Sequence, residues 1–211
     1  MTRILILFAH PALEKSRIHR QLLRGLPDLP GVTLNDLYEQ YPDFDIDIAR
    51  EQQLLTEHDL VILQHPFYWY STPALLKQWQ DLVLEHGWAY GSQGKALHGK
   101  GVLSVISTGG GAAAYQTEGY NRFTMRQLLA PLEQTFFLCG MSYHPPYLVQ
   151  GTHRMTVGNI DQAVADYRWL ITALHNDAID WSVVDHLPTL NDSWDQLQAA
   201  TQPLIQEAAA L

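Results

Sequence analysis

Three short apolar runs constrain this chain more than any other feature: residues 4–9, 60–64 and 101–107. They are almost continuous rather than alternating, the pattern of strands covered on both faces. Two weaker strand signals lie at 32–37 and 143–150, and Pro145 and Pro146 push the second toward a sheet edge. Helical patterns fill the intervals. Ile18, Leu22 and Leu23 share one face, with Gly25 and Pro27 as stops, and 47–57 suits a short helix. The clearest helix is 72–85, where Thr72 can cap, Pro73 suits the first turn, and Leu75, Leu76, Trp79, Leu82 and Val83 form one stripe. Met125, Leu128, Leu129 and Leu132 form another stripe, with a kink expected at Pro131. Ile160, Ala163, Val164, Tyr167, Leu170, Ile171 and Leu174 form the last.

Strand and helix therefore alternate five times, which predicts an α/β fold: a parallel sheet with helices on both faces. For five strands the expected doubly wound order is 2-1-3-4-5, with ligands beyond the C-terminal strand ends near strands 1 and 3. The loops after residues 8, 64 and 106 are thus singled out by topology before their residues are considered. A chain of 211 residues can bury such a core without staples. Its single cysteine, Cys139, allows no internal disulfide and suggests a reducing compartment; beside Gly140 it reads as a small buried thiol. The net charge of −9 argues against broad nucleic-acid binding. No apolar run has the length of a membrane span, and the first is too short for a secretion signal, so a cytoplasmic location is expected.

The loop after strand 1 runs through His10, Pro11, Lys15, Ser16, Arg17, Ile18, His19 and Arg20. A helix expected to begin near Ser16 would offer free N–H groups and a positive dipole end, and Lys15, Arg17, His19 and Arg20 form a basic cluster. Ser16 can cap that helix or bond a phosphate oxygen; the other reading of the loop is a capped helix with a solvated basic face. Neither a dinucleotide-type glycine fingerprint nor a Walker-type loop is present. The loop after strand 3 holds Phe67, Tyr68, Trp69 and Tyr70, ring surface that suits a flat heterocycle, or else core packing or a dimer interface. The loop after strand 4, from Ser107 and Thr108 through Gly109, Gly110 and Gly111, can bring backbone N–H groups close to a ligand, or be a flexible turn. The ten histidines show no zinc-helix spacing, so no metal is expected, and Asp43, Asp45 and Asp47 lack the later residues of a calcium loop. His98 and His144 suit a turn or a strand edge.

These motifs resemble the NAD(P)H:quinone oxidoreductase family of flavodoxin-like flavoproteins. The residues that carry the likeness are 4–11, 64–73, 86–91 and 108–110. Residues 38–47 and 97–100 narrow it to the ancillary flavoprotein subunits of bacterial glutathione-regulated potassium-efflux systems. The likeness spans residues 1–177, leaving 178–211 as a C-terminal extension whose Trp181, Val183, Val184 and Leu187 can pack on the domain or on a partner. It implies a flavodoxin-like three-layer sandwich and a flavin, FMN in this subgroup and FAD in longer relatives, with NAD(P)H as transient donor. It implies that His10, Ser16, Arg17, Ile18 and His19 meet the phosphate and ribityl chain. Phe67, Tyr68, Trp69 and Tyr70 would border the ring system, and Ser107, Thr108, Gly109 and Gly110 its pyrimidine side. Tyr115 matches a tyrosine that larger quinone reductases place beside the reduced flavin, whereas their histidine is replaced by Asn121. A homodimer with the flavin near the interface is implied. So is a two-electron ping-pong reduction of quinones or, from another class, a regulatory role on a membrane transporter at the inner face of the membrane. A one-electron carrier is the third reading, and it fits the acidic charge.

Overall fold

The computed structural model describes residues 1–24, 26 and 28–209, with side chains as far as residue 201. The expected stops at Gly25 and Pro27 lie outside the described residues. The three apolar runs form strands β1 (Ile4–Phe8), β3 (Leu60–Pro66) and β4 (Gly101–Ser107), every residue buried except the half-buried Gly101. With β2 (Val32–Asp36), β5 (Ser142–Tyr143) and β6 (Tyr147–Val149) they make one parallel sheet in the order β2-β1-β3-β4-β5, with β6 also on β4. The predicted order thus holds, but the fifth strand is two. Gly101 and Val102 of β4 pair with β5, and Val105, Ile106 and Ser107 pair with β6. Pro145 and Pro146 interrupt it because proline has no N–H to give the ladder. β3 also runs two residues past the expected end, since His65 and Pro66 pair with Ile106 and Ser107.

The helices are α1 (His19–Leu22), α2 (Leu37–Gln40), α3 (Ile48–Glu57), α4 (Ala74–Val83), α5 (Met125–Leu128), α6 (Ala130–Leu138), α7 (Val157–His175), α8 (Trp181–Val184) and α9 (Trp194–Ala209). Leu5, Leu7, Val61, Leu63 and Val102 face a core closed by α2 to α6. Ile4, Ile6, Phe8, Ile62, Leu103 and Val105 face a second, closed by α1, α7, α8 and α9. Alternate residues of each strand therefore serve opposite cores, which is why the runs could not alternate in polarity.

Three local expectations are corrected. The 72–85 helix begins at Ala74 with Pro73 at its N-cap. Thr72 does not cap it: its hydroxyl is buried without a partner among the described residues, and Leu82 is 38% exposed. The 125–138 stretch is two helices meeting at Leu129, and Pro131 sits in the first turn of α6 instead of kinking a longer helix. In the first loop, Leu13–Lys15 form a 3-10 turn and the α-helix starts only at His19.

The first core encloses one polar knot. The Glu51 carboxyl is fully buried and accepts from Tyr41 Oη at 2.7 Å, Asn35 Nδ2 at 2.8 Å and Trp79 Nε1 at 2.8 Å, with the Arg50 guanidinium beside it. A glutamine there has the same shape but turns an N–H2 group toward donors. Glu51→Gln is expected to cost about 2 kcal/mol of folding free energy in urea titration. An unchanged midpoint and slope would show that the knot contributes nothing.

Beyond α7, Ala178, Ile179, Val184, Leu190 and Leu197 pack back on the second core. Trp181 stacks on His144 with ring centroids 3.6 Å apart, and His144 Nδ1 meets Asp185 at 2.8 Å. Asn191 accepts from the Leu148 N–H at 2.8 Å and donates to the Leu148 carbonyl at 3.0 Å, so its amide occupies the open edge of β6 as a neighbouring strand would. Val184 is buried, whereas Val183 is 59% exposed.

Candidate functional site

The site lies beyond the C-terminal ends of β1, β3 and β4, where the strand order reverses. A cavity of about 470 Å³ is lined by His10, Ser16, Arg17, Phe67, Ser107 and His153, among others. A second, of about 310 Å³, adjoins it at Phe67 and includes Trp69, Tyr70, Gly110, Tyr115, Tyr120 and Asn121. All three loops chosen by topology therefore converge. A cavity of about 490 Å³ lies at the opposite end of the sheet, but its carboxylates are engaged. Asp59 holds Arg3, Asp177 the N-terminal ammonium, and Asp185 His144.

In the first loop, Ser16 Oγ accepts from the His19 N–H at 3.0 Å. It braces the turn that leads into α1 without being the N-cap, which is Ile18, and its own proton stays free to donate. His10 Nδ1 accepts from the Ala12 N–H at 3.1 Å, leaving Nε2–H as the donor, and burial holds its pKa below the usual histidine value against the pull of Glu14. Arg17 donates to the Met155 carbonyl at 3.1 Å. His19 leaves the basic cluster. Its ring is 1% exposed and lines neither cavity; burial first, then His10 and His65, push its pKa down to about 3, so it is neutral.

The aromatic loop turns back at Tyr68, whose carbonyl accepts from the Ser71 N–H at 3.0 Å. The two central residues, Trp69 and Tyr70, have φ of 50° and 63°. That is the sign pattern of a type I′ turn, which normally takes Asn-Gly. Bulky aromatics in left-handed backbone are strained, and such strain gathers at functional sites. Trp69 is 93% exposed and holds nothing together in the fold. Trp69→Gly is therefore expected to raise folding stability by about 0.5–1 kcal/mol while weakening ligand binding at this rim. Paired urea and binding titrations check it, and a loss of stability would refute the strain reading. Behind this turn, Phe67 meets the edges of Tyr70 and Tyr115 at centroid distances of 6.4 and 6.2 Å.

In the third loop, Thr108 spends its hydroxyl on the Gly110 carbonyl at 2.7 Å. Tyr115 is 8% exposed and its phenol is raised by burial, against the opposing effect of Thr108 and Asn121. Asn121 Oδ1 accepts from Tyr70 Oη at 3.2 Å. Thr152 and His153 also line the larger cavity. They lie outside the sequence expectation because the switch-point rule singles out only the loops after strands 1, 3 and 4. The signal was available: the C-terminal end of the interrupted fifth strand faces the same edge. The loop after it is laced to the glycine loop by Gly151 N–H to Gly110 O at 2.9 Å and Thr152 N–H to Thr108 O at 3.0 Å. A Cβ at Gly109 would stand 2.5 Å from His153 Nε2, so the missing side chain lets the imidazole close on the backbone.

A doubly wound sheet with an anion-suited loop, an aromatic turn and a glycine turn at its switch point defines a flavodoxin-like α/β protein. Residues 2–170 match the family described as flavodoxin-like fold. A glutathione-regulated potassium-efflux system ancillary protein, KefG of Serratia proteamaculans, is 49% identical over 152 residues, 72% of this chain and 83% of that protein. The general stress protein 14 of Treponema denticola, solved in complex with FMN, has a TM-score of 0.76 at 37% identity, covering 82% of this chain and 99% of that one. An NADPH-quinone reductase of P. pentosaceus has a TM-score of 0.72 at 32% identity, covering 80% and 96%. A structure named as a thermophilic tryptophan halogenase, from Streptomycin violaceusniger, has a TM-score of 0.77 at 41% identity, covering 79% and 97%. The chain belongs to the NAD(P)H:quinone oxidoreductase family of flavodoxin-like fold. Names as different as these on one scaffold mean that the activity must be argued from the site.

Proposed function

We propose that this protein is an FMN-dependent NAD(P)H:quinone oxidoreductase working by two-electron, ping-pong hydride transfer, FAD being the alternative cofactor. One observation carries the reading. Among the described residues, the main-chain N–H groups of Arg17, Ile18, Trp69, Tyr70, Gly109 and Gly110 donate to no protein acceptor, and all six residues line the two joined cavities. Unpaired N–H groups on three loops around one space suit a ligand rich in acceptors at both ends, as a flavin mononucleotide is. The Arg17 guanidinium and the free Ser16 hydroxyl suit its phosphate, and Phe67 to Tyr70 supply flat apolar surface for its ring. The relative solved with FMN supports the same choice.

When bound, the flavin supplies the redox chemistry, taking hydride from the nicotinamide and passing two electrons to the quinone. The chain supplies placement and electrostatics. Ser16, Arg17 and the Arg17 and Ile18 N–H groups anchor the phosphate. The Gly109 and Gly110 N–H groups stabilise negative charge at the pyrimidine end. Tyr115, a phenol that is protonated at neutral pH and is raised further by burial, would hold a proton at Oη beside Asn121. The exposed Trp69 and Tyr120 at the rim suit completion of the site by a second copy of the chain.

The test is steady-state kinetics of FMN-loaded protein with NADH or NADPH and a soluble naphthoquinone. Parallel double-reciprocal lines are expected, and converging lines would remove the ping-pong order. Flavin-loaded protein without turnover would sink the enzyme reading and favour the second one: a cytoplasmic regulatory subunit on a potassium-efflux transporter. That reading has its own support in the names of the KefG and KefF relatives and in Phe137 and Leu138, 70% and 57% exposed on α6. Among the described residues, no helix is long and apolar enough to cross a membrane. Co-purification with the transporter and restored potassium efflux would test it.

A further inference from the structure

Four polar side chains run in a line from the larger cavity into the second core. Ser107 Oγ meets His19 Nε2 at 2.8 Å, His19 Nδ1 meets Gln64 Nε2 at 3.5 Å, and Gln64 Oε1 meets Tyr167 Oη at 2.8 Å. Their exposures are 6%, 1%, 0% and 0%. The cavity is lined by Ser107 and by none of the other three. Nothing in the proposed reaction uses them, and a hydrophobic core would be cheaper without them.

The direction of this chain is set at its buried end. Among the described residues, Tyr167 Oη has Gln64 as its sole hydrogen-bond partner. If it only accepted, its proton would be buried and unpaired, a costly arrangement. Tyr167 must therefore donate to Gln64 Oε1. The Gln64 amide then presents Nε2–H to His19, so Nδ1 accepts and Nε2 carries the proton. His19 is neutral, and one tautomer satisfies both neighbours. Its Nε2–H donates to Ser107 Oγ, which turns the serine proton toward the cavity.

We infer that Tyr167, through Gln64 and His19, makes Ser107 a hydrogen-bond donor to whatever binds. Ser107 is then selective for an acceptor, such as a carbonyl oxygen or an unprotonated ring nitrogen, and unfavourable to a group that can only donate. Tyr167, Gln64 and His19 are positioning residues. The direction of the chain is a property of the free protein; its effect on flavin rests on the reading above.

Two measurements separate these parts. In ¹⁵N-histidine-labelled protein without ligand, the His19 signals, assigned by their loss in His19→Asn, are expected to report the neutral Nε2–H tautomer near pH 7. The Nδ1–H tautomer would overturn the inference. Tyr167→Phe frees the chain to reverse and is expected to raise the FMN Kd, read by fluorescence quenching, about three- to tenfold. In a Ser107→Ala background the same substitution is expected to change Kd less than twofold. Equal losses in both backgrounds would mean that Tyr167 acts by packing alone and would overturn its effect on Ser107. Failure of the wild-type protein to bind FMN, together with the Nε2–H tautomer, would end the flavin reading and uphold the chain's direction.

Discussion

Lowering the pH from 7 to 5 should cost this fold about 4 kcal/mol, roughly 2 from each of His19 and His65. Both imidazoles are buried and their pKa values are pushed down, by burial first, to about 3 and about 4. In the unfolded chain they take up protons near 6.5. Between 6.5 and the folded values the unfolded state therefore binds more protons. Its proton uptake stabilises unfolding, so folding stability falls as pH falls. His10 and His144, also lowered by burial, act with the same sign. Asp36, raised by burial, acts with the opposite sign, since its folded state takes up a proton before the unfolded chain does. Asp59, held at about 2 by Arg3, loses its contribution only below the ordinary aspartate range. Urea titrations at pH 7 and pH 5 measure the difference. His65→Asn should remove about half of the slope, whatever it does to stability at pH 7. A flat profile from 7 to 5 would show that neither ring is held neutral. Acidification also attacks the proposed site, because a charged His19 donates from both nitrogens and can no longer accept from Gln64.

Ser16→Asp should raise the FMN Kd at least about 100-fold while leaving the midpoint of unfolding almost unchanged. Aspartate accepts from a main-chain N–H as well as serine does, so its carboxylate can take the His19 N–H that Ser16 Oγ accepts now. The same carboxylate places a negative charge where the phosphate is proposed to bind, beside Arg17 in the larger cavity. Repulsion and the competing claim on Arg17 then act together. Ser16→Gly provides the contrast. It should lose the hydroxyl bond to the ligand and the contact with the His19 N–H, weaken FMN binding by about tenfold or less, and lower stability by a few tenths of a kcal/mol. If Ser16→Asp bound FMN as tightly as the parent, the phosphate would have to sit elsewhere, and the serine would serve only the His19 N–H.

Much of this was legible before any coordinates. Hydrophobic runs buried on both faces cannot be disguised, so β1, β3 and β4 and their parallel order follow from residues 4–9, 60–64 and 101–107. That order placed three loops at one edge, and those loops line the two cavities. The errors came where local pattern meets tertiary demand. Thr72 has the chemistry of a cap, yet the helix begins two residues later. Leu82 fits the α4 stripe by spacing but falls at the margin of the buried face. The loop carrying Thr152 and His153 follows the fifth strand and falls outside the three that the switch-point rule singles out.

The sequence by itself determined the layers, the strand order and the edge where the two joined cavities open, because these depend on which side chains must leave water. Only the tertiary structure decided which polar residues face those cavities. His19 looks like one more cation in a basic loop, but α1 turns it under the floor, where burial holds it neutral. Tyr167 reads as one more core position of α7, yet its hydroxyl ends a polar chain that begins at Ser107, sixty positions earlier in the sequence. Charge and hydrogen-bond direction depend on burial and on partners brought together from distant segments, and neither is written in local spacing.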